Sequence, residues 1–540
     1  MKKLRQLLVL PAIMLSTWAC NISYFEDPSF ADDVVTWDPT IAVSLGEIDY
    51  TIDQLFESLN DGGAQIGTNE NDVVTVIYQQ TLQAQDAAEI LQVLDQNFGG
   101  SAPSNTTIVN APVATSENVV EVFEYDISVK QGEEYDSLQF SEGSLAMELN
   151  STFNDPVDYT VTIRSLYNGT SVVVESGQLP PNSSQQSQFS LAGYMGYFHL
   201  DTDGNPSRNK LVLEIDYTVS VPQGGSMEPT DAVDFELSIF DAEFSQVFGD
   251  IGSKTLDTDS HQFELDFFAT LGEGDLVFAN PKVHLNFTNS FGFPIGVDFN
   301  DFVAVDQDGN VVHLEGDVID DPSLVVGPTL QNIGNAETTS VVIDNTNSNI
   351  VDLLSIKPQR INVEMGAVSN PSYGPDQYNF IEEASELEVN VDIEIPFNMS
   401  FNQVVASELL SFSNADALDN AKRLLLRVMS ENDMPIGGSV ELQFLDNNEN
   451  VLYVVDERPA FAGAPVGTDG RTTQSVSSTT DVEIDADAID KIKESSQIRV
   501  LATLTTTNAD QGTAVRFFED YLLNIALAIQ ADVKLNSNGN

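Results

Sequence analysis

Carboxylates that alternate with Val, Ile, Leu and Phe constrain this chain more than any other feature of its sequence. Val119–Val129 reads VVEVFEYDISV and Leu387–Ile395 reads LEVNVDIEI. Successive side chains of a β-strand point to opposite faces, so this period-2 pattern specifies strands with one face in a core and the other in water. Helical periodicity is confined to Thr51–Ser58, Ala87–Leu94 and Ala486–Glu494. Clusters of Gly, Pro, Asn, Asp and Ser separate the alternating runs. The expected class is all-β.

The alternating runs repeat. Asp155-Pro156-Val157, Phe293-Pro294-Ile295 and Met434-Pro435-Ile436 follow the strands Ser144–Asn150, Lys282–Phe287 and Arg423–Met429. After each proline come a second strand and a turn: Tyr167-Asn168-Gly169, Asp306–Asn310 and Asp446–Asn450. A polar-edged strand follows (Ser187–Leu191, Ser340–Asp344, Thr480–Asp485), and then a short Asx-rich or helical link. Two further strands close each unit: Lys210–Val221 and Asp234–Phe240, Arg360–Ala367 and Leu387–Phe397, Gln497–Thr506 and Tyr521–Val533. Tight Asx/Gly turns between alternating strands mean antiparallel pairing, and a proline in such a pattern marks an edge or bulge. The units therefore read as tandem antiparallel β-sandwiches, immunoglobulin-like in architecture if not in strand order. Their expected spans are 115–250, 251–400 and 401–540. A small N-terminal unit of mixed character, 37–114, precedes them, and Gly99–Asn105 and Gly463–Ser478 read as surface loops.

The first residues have the grammar of export. Lys2, Lys3 and Arg5 precede the short apolar run Leu7–Leu15, and Ala19 precedes Cys20. Charge, apolar core and a small residue at the cleavage position mark a signal peptide over 1–19. Cys20, the only cysteine in 540 residues, then stands where a lipobox places the thiol that receives diacylglycerol, although Thr17-Trp18 departs from the usual pattern. The apolar run is too short to cross a bilayer, which takes about 20 residues. Lipid attachment at Cys20, an outer-membrane location, and a tether over 20–36 are the expectations. A single cysteine permits no disulfide within the chain, so the fold has to rest on core burial.

Charge narrows the partners. The chain has 84 acidic and 21 basic residues, a net −63. Nucleic acids and anionic lipids bind through Lys and Arg clusters, so a nucleic-acid partner is not expected. Such acidity suits a surface whose carboxylates are screened by salt. The alternative is Ca²⁺ bound by carboxylates and loop carbonyls. Two turns supply candidates, Asp201-Thr202-Asp203-Gly204-Asn205 and Asp306-Gln307-Asp308-Gly309-Asn310, with Asp201, Asp203, Asn205, Asp306, Asp308 and Asn310 as ligands. Neither has the glycine at position six and glutamate at twelve of an EF-hand. Both read first as hairpin turns.

No motif for catalysis stands out. His199, His261, His284 and His313 are scattered, with none of the paired spacing of zinc enzymes. His284 alternates with Val283 and Leu285 and is expected to face solvent or a neighbouring side chain. There is no G-x-S-x-G elbow and no phosphate-cradling glycine loop. A glycosidase needs only two carboxylates at the right separation, and sequence offers no means of choosing two among 84. Tyr194, Tyr197 and Phe198 could stack on a sugar or cap the end of a core.

Trp37–Leu45 (WDPTIAVSL) followed by Ile52-Asp53-Gln54-Leu55 resembles the opening of an uncharacterised group of Bacteroidetes surface lipoproteins. Phe263–Phe268, Leu276–Asn289 and Ser290–Ile295 resemble the core segment of the same group. The resemblance implies an anchored, exported, β-rich protein and carries no catalytic residues with it. The Asn280-Pro281 and Asn289 pattern is also similar to that of late-embryogenesis-abundant β-sandwiches. The expected function is a non-enzymatic, membrane-anchored lipoprotein that displays acidic sandwiches, with no cofactor beyond a conceivable Ca²⁺. A lipid- or glycan-binding module and a carboxylate hydrolase are the alternatives.

Overall fold

A computed structural model describes residues 36–37, 40–52, 64–69, 71–130, 132–256, 260–265, 268, 274–320, 323–372, 378–411, 421–533 and 535–536. Cys20 and the segments expected as signal peptide and tether, up to residue 35, lie outside these, as does most of the helical run expected at Thr51–Ser58. The chain is 62% strand and 6% helix, in several antiparallel sheets of sandwich type.

Ahead of the sandwiches, besides the short strands Thr36–Trp37 and Ala64–Thr68, come β1 (Thr40–Thr51), β2 (Val74–Asp86) and β3 (Gln96–Pro103). The first sandwich follows with β4 (Thr115–Asp126), β5 (Glu134–Ser151), β6 (Val157–Asn168), β7 (Ser171–Leu179), β8 (Ser184–Ser190), β9 (Lys210–Val221) and β10 (Ala232–Asp250). The second contains β11 (Ser260–Glu264), β12 (Lys282–Asn289), β13 (Ile295–Val305), β14 (Val311–His313), β15 (Glu337–Ile343), β16 (Arg360–Ser369) and β17 (Glu386–Pro396). The third contains β18 (Val404–Ser411), β19 (Ala421–Asn432), β20 (Ile436–Leu445), β21 (Val451–Phe461), β22 (Val476–Ile484), β23 (Gln497–Thr506) and β24 (Leu522–Val533).

Pairing is the same in all three. In one layer the last strand lies beside the second, which lies beside the fifth: β10–β5–β8, β17–β12–β15 and β24–β19–β22. In the other, the first strand lies beside the sixth and the sixth beside the third, which carries the fourth: β4–β9–β6–β7, β11–β16–β13–β14 and β18–β23–β20–β21. In immunoglobulin domains the first strand shares a sheet with the second. Here the first and last strands have exchanged layers. In the first sandwich the short strand Met195–Tyr197 pairs with both β5 and β6 and closes the two layers at one edge.

The remaining position in the first layer is filled from elsewhere. β3 pairs with β10, β2 with β17, and β1 with β24, all antiparallel. The segment 37–114, which the sequence sets apart as a small unit of its own, is therefore a strap that gives one strand to the first and third sandwiches and two to the middle one, where Ala64–Thr68 pairs with the outer side of β2. It does so in reverse order, third sandwich first. An amphipathic strand has to bury its apolar face and pair its backbone, and the open edge of each last strand offers both. Alternation marks a strand but names no partner. Side chains reinforce the seams: Thr40 Oγ1 donates to Asp532 (2.6 Å), Asn524 Nδ2 to Glu47 and Asp49 (both 2.7 Å), and Thr81 Oγ1 to Asn390 (2.6 Å). The run Gly99–Asn105, expected as a loop, lies largely within β3. Gly100 makes this strand possible, because a Cβ there would stand 2.6 Å from the Phe235 ring and 2.8 Å from the Tyr125 hydroxyl.

Of the helical readings, Ala486–Glu494 holds, whereas Ala87–Leu94 is helical only to Ile90 and Thr51 ends a strand. Helix α1 (Ala87–Ile90) starts at a capping box made by Asp86 and Glu89. Links α2 (Ile350–Ser355) and α3 (Ala486–Lys493) occupy one place in the second and third sandwiches, and the loop Asp201–Asn205 takes that place in the first.

Each proline turn closes on a buried polar side chain. Asn289 Oδ1 accepts from Phe291 N (2.9 Å), and its amide donates to Phe293 O (3.0 Å) and Val326 O (3.2 Å). Asn432 Oδ1 accepts from Met434 N (2.9 Å), and its amide Nδ2 donates to Ile436 O and Ala462 O (both 2.8 Å). In the first sandwich Ser151 has this place, and its hydroxyl meets only Phe153 N, at 3.3 Å.

A second buried polar cluster joins the first two sandwiches. Lys254 donates to Ile90 O (2.9 Å) and pairs with the fully buried Glu133 carboxylate, which also accepts from Tyr135 Oη (2.6 Å). Burial, aided by that neighbouring carboxylate, pushes the Tyr135 phenol far up.

Candidate functional site

Strap, middle sandwich and third sandwich meet at one point. Val74 N donates to Phe517 O (2.9 Å), Phe397 N to Val74 O (2.7 Å) and Phe517 N to Phe397 O (2.9 Å). The Phe397 and Phe517 rings are fully buried beneath this crossing, edge to face at 6.4 Å. Beside it, the short strand Val515–Arg516 pairs with Asn398–Met399.

A half-open cavity of about 510 Å³ lies over this junction, within the size range of small-ligand sites. Its floor is the outward face at the ends of β12 and β17. Lys282 and His284 alternate with buried Val283, and Lys282 stands opposite Glu394 in the strand register. The strap contributes Asn69, Asn71, Val73 and Thr75; Asn280, Pro281, Asp344, Asn345, Pro396, Asn398 and Arg516 complete the wall. Apolar lining is limited to Val73, Pro281 and Pro396, and among the described residues no Phe, Tyr or Trp lines the space.

Some of these groups are already committed. Asp344 Oδ1 accepts from Thr346 N (2.8 Å) and Thr346 Oγ1 (2.6 Å), which hold its carboxyl below the usual aspartate range, with Lys282 adding a smaller attraction. Asn69 Oδ1 accepts from Asn71 N and Val73 N. Asn345 Nδ2 donates to Ala279 O (3.1 Å), and Arg516 Nη1 to Asp469 O (3.3 Å). Others are not. His284 Nε2 is closed off from solvent without a hydrogen bond, 3.5 Å from Glu394 Oε2. The Lys282 ammonium and the amides of Asn71, Asn280 and Asn398 make no side-chain hydrogen bond among the described residues.

The residues singled out as Ca²⁺ ligands are placed differently. Asp201, Asp203 and Asn205 lie on the first sandwich and Asp306, Asp308 and Asn310 on the second, so the two sets do not converge. In each loop one carboxylate is filled from within. Asp201 Oδ1 accepts from Asp203 N (2.9 Å) and Asn205 N (2.7 Å), and Asp306 Oδ1 from Asp308 N (2.9 Å) and Asn310 N (2.8 Å). The Asn205 and Asn310 amides cap the same carboxylates. Asp446–Asn450 makes the same turn with Glu449 at positive φ where Gly204 and Gly309 stand, and 69–73 makes it with Asn69. The geometry is that of a five-residue hairpin loop stabilised by its leading Asx side chain. These hydrogen bonds, led by those from Asn205, Asn310 and Asn450, hold Asp201, Asp306 and Asp446 below the usual aspartate range. Among the described residues no group of three or more His, Cys, Asp or Glu side chains is arranged to hold a metal.

The aromatic cluster is divided. Phe198 is buried in the first core, and Tyr197 packs edge-on against Tyr167 at 5.3 Å. Of the cavity residues, sequence reading singled out His284 and Asn280-Pro281. Nothing in the sequence signalled that 69–75 and Arg516 would join them, because those contacts depend on where the strap lies.

No family model and no curated protein matches the chain. Among solved structures, it is similar to a candidate secreted protein of Parabacteroides distasonis ATCC 8503, at 14% identity and TM-score 0.28, over 54% of this chain and 90% of that one. The tandem CBM22-1–CBM22-2 domains of Paenibacillus barcinonensis Xyn10C match at 10% identity and TM-score 0.14, over 83% and 100%. Infectious bursal disease virus Gx strain matches at 8% and 0.14, over 88% and 82%. Likenesses this distant carry no argument about this chain.

Proposed function

We propose that this chain is an exported envelope lipoprotein, anchored through Cys20, that displays three strapped β-sandwiches and acts by holding or meeting a partner rather than by catalysis. The observation that carries the reading is the reversed order of the strap. β1, the strap strand nearest Cys20, lies on the third sandwich and β3 on the first. Thr36–Trp37 pairs with Leu535–Asn536 and holds the start of the strap to that same sandwich. A lipid at Cys20 therefore sets the third sandwich next to the bilayer, within a tether reach of about 50 Å, and the first outermost. The sequence resemblance to Bacteroidetes surface lipoproteins and the net −63 charge support the same reading.

Palmitate labelling tests the anchor: the wild type takes the label and Cys20→Ser does not, whereas labelling of the mutant removes the proposal. The orientation has its own readout. With fluorophores on Val174→Cys or Glu483→Cys, a headgroup quencher dims Glu483→Cys, on the third sandwich, more than Val174→Cys, on the first. Equal quenching would overturn the order.

A further inference from the structure

We infer that the cavity at the junction of strap, middle and third sandwich binds a short zwitterionic peptide. Several groups are left over once the internal bonds are made. Lys282, and Arg516 with the donors it does not spend on Asp469 O, supply positive charge, in a chain with only 21 basic residues against 84 acidic ones. Glu394 supplies a carboxylate whose nearest cationic candidate, His284 Nε2, stands 3.5 Å away, beyond a good hydrogen bond. The amides of Asn71, Asn280 and Asn398 line the same cavity, without side-chain hydrogen bonds among the described residues. A carboxamide offers donors and an acceptor together, which complements a peptide group.

Other ligand classes fit less well. A lipid tail needs an apolar lining, and this one has two prolines and a valine. A sugar finds no Phe, Tyr or Trp ring to lie on among the described lining residues. A phosphate or nucleotide would meet Asp344 and Glu394 beside the two cations. A zwitterion is the class for which both signs help, its carboxylate against Lys282 and Arg516 and its ammonium against Glu394. The cavity, about 510 Å³, exceeds a single amino acid several-fold and leaves room for two or three residues.

The test is isothermal titration of the full-length protein with trialanine, and with N-acetyl-trialanine amide, which lacks both charges. Trialanine gives saturable binding at millimolar concentration or below, and the blocked peptide does not bind. Lys282→Gln and Arg516→Gln each weaken the binding about tenfold, the scale of a lost charge-assisted hydrogen bond. Unchanged thermal midpoints confirm that both variants fold. Absence of saturable trialanine binding, equal binding of the blocked peptide, or indifference to both substitutions would each overturn the proposal.

Discussion

Strands β12 and β19 hold the same place in the middle and third sandwiches, yet they are buried to different depths. In β12 the inward residues Val283, Leu285 and Phe287 are all at or below 1% exposure. In β19 the corresponding face leaves Leu426 and Val428 only partly covered, with Leu424 alone among its apolar residues fully enclosed. The middle core is continuous with that of the first sandwich, whereas much of the third forms a separate cluster under α3, around Ile489, Ile492, Phe444 and Val500. The same topology thus supports two degrees of packing. Burial rather than strand order sets the local stability, at about 25 cal/mol for each Å² of apolar surface covered.

The strap offers the largest test of this difference. Deleting residues 36–51 strips β24 of its outer partner, and the third sandwich should then unfold in a transition of its own while the middle one persists. A single cooperative transition at the original midpoint would show the two to be equally supported. Next come the turn residues. Asn289→Ala and Asn432→Ala each leave two carbonyls and one N–H unpaired at a buried site, and should cost about 3–5 kcal/mol in denaturant unfolding. Ser151→Ala should cost only about 1 kcal/mol, and equal losses would mean that the three turns are not built alike. In the strands themselves, Leu285→Ala should cost about 2–5 kcal/mol, with Leu426→Ala at less than half of that.

The smallest effect belongs to the hairpin loops. Asp201, Asp306 and Asp446 are held below the usual aspartate range when folded. The stability they contribute is therefore present above the unfolded value of about 3.9 and is lost as pH falls through the depressed folded one. Urea midpoints should drop below about pH 4, and Asp306→Asn should flatten that drop slightly. A chelator at fixed ionic strength should leave the midpoint unchanged, because these carboxylates are filled from within; a fall would make them cation ligands after all.

The strand positions, the proline turns and the helical links at α1 and α3 were legible in the sequence, since each rests on local periodicity or local turn chemistry. Asn289 was visible as part of a pattern, but its three buried hydrogen bonds were not, because two carbonyls and an amide have to be brought to it by folding. His284 was placed correctly on a strand, while its neighbours Asn71 and Arg516 come from sequence positions more than 200 residues away on either side. The strap went unread for the same reason. Alternation tells a strand which face is apolar and says nothing about which edge it will meet.

What the sequence by itself determined is the all-β class, the alternating strands with their proline turns, and the net charge of −63. Each follows from residue order or composition without reference to a partner. Tertiary structure alone decided that 37–114 is a strap, that it runs from the third sandwich to the first, and that a polar cavity opens where strap and two sandwiches cross. Edge pairing explains the division. Backbone hydrogen bonds between strands are blind to side-chain identity, so the choice among open edges is made by the whole fold rather than by any segment of it.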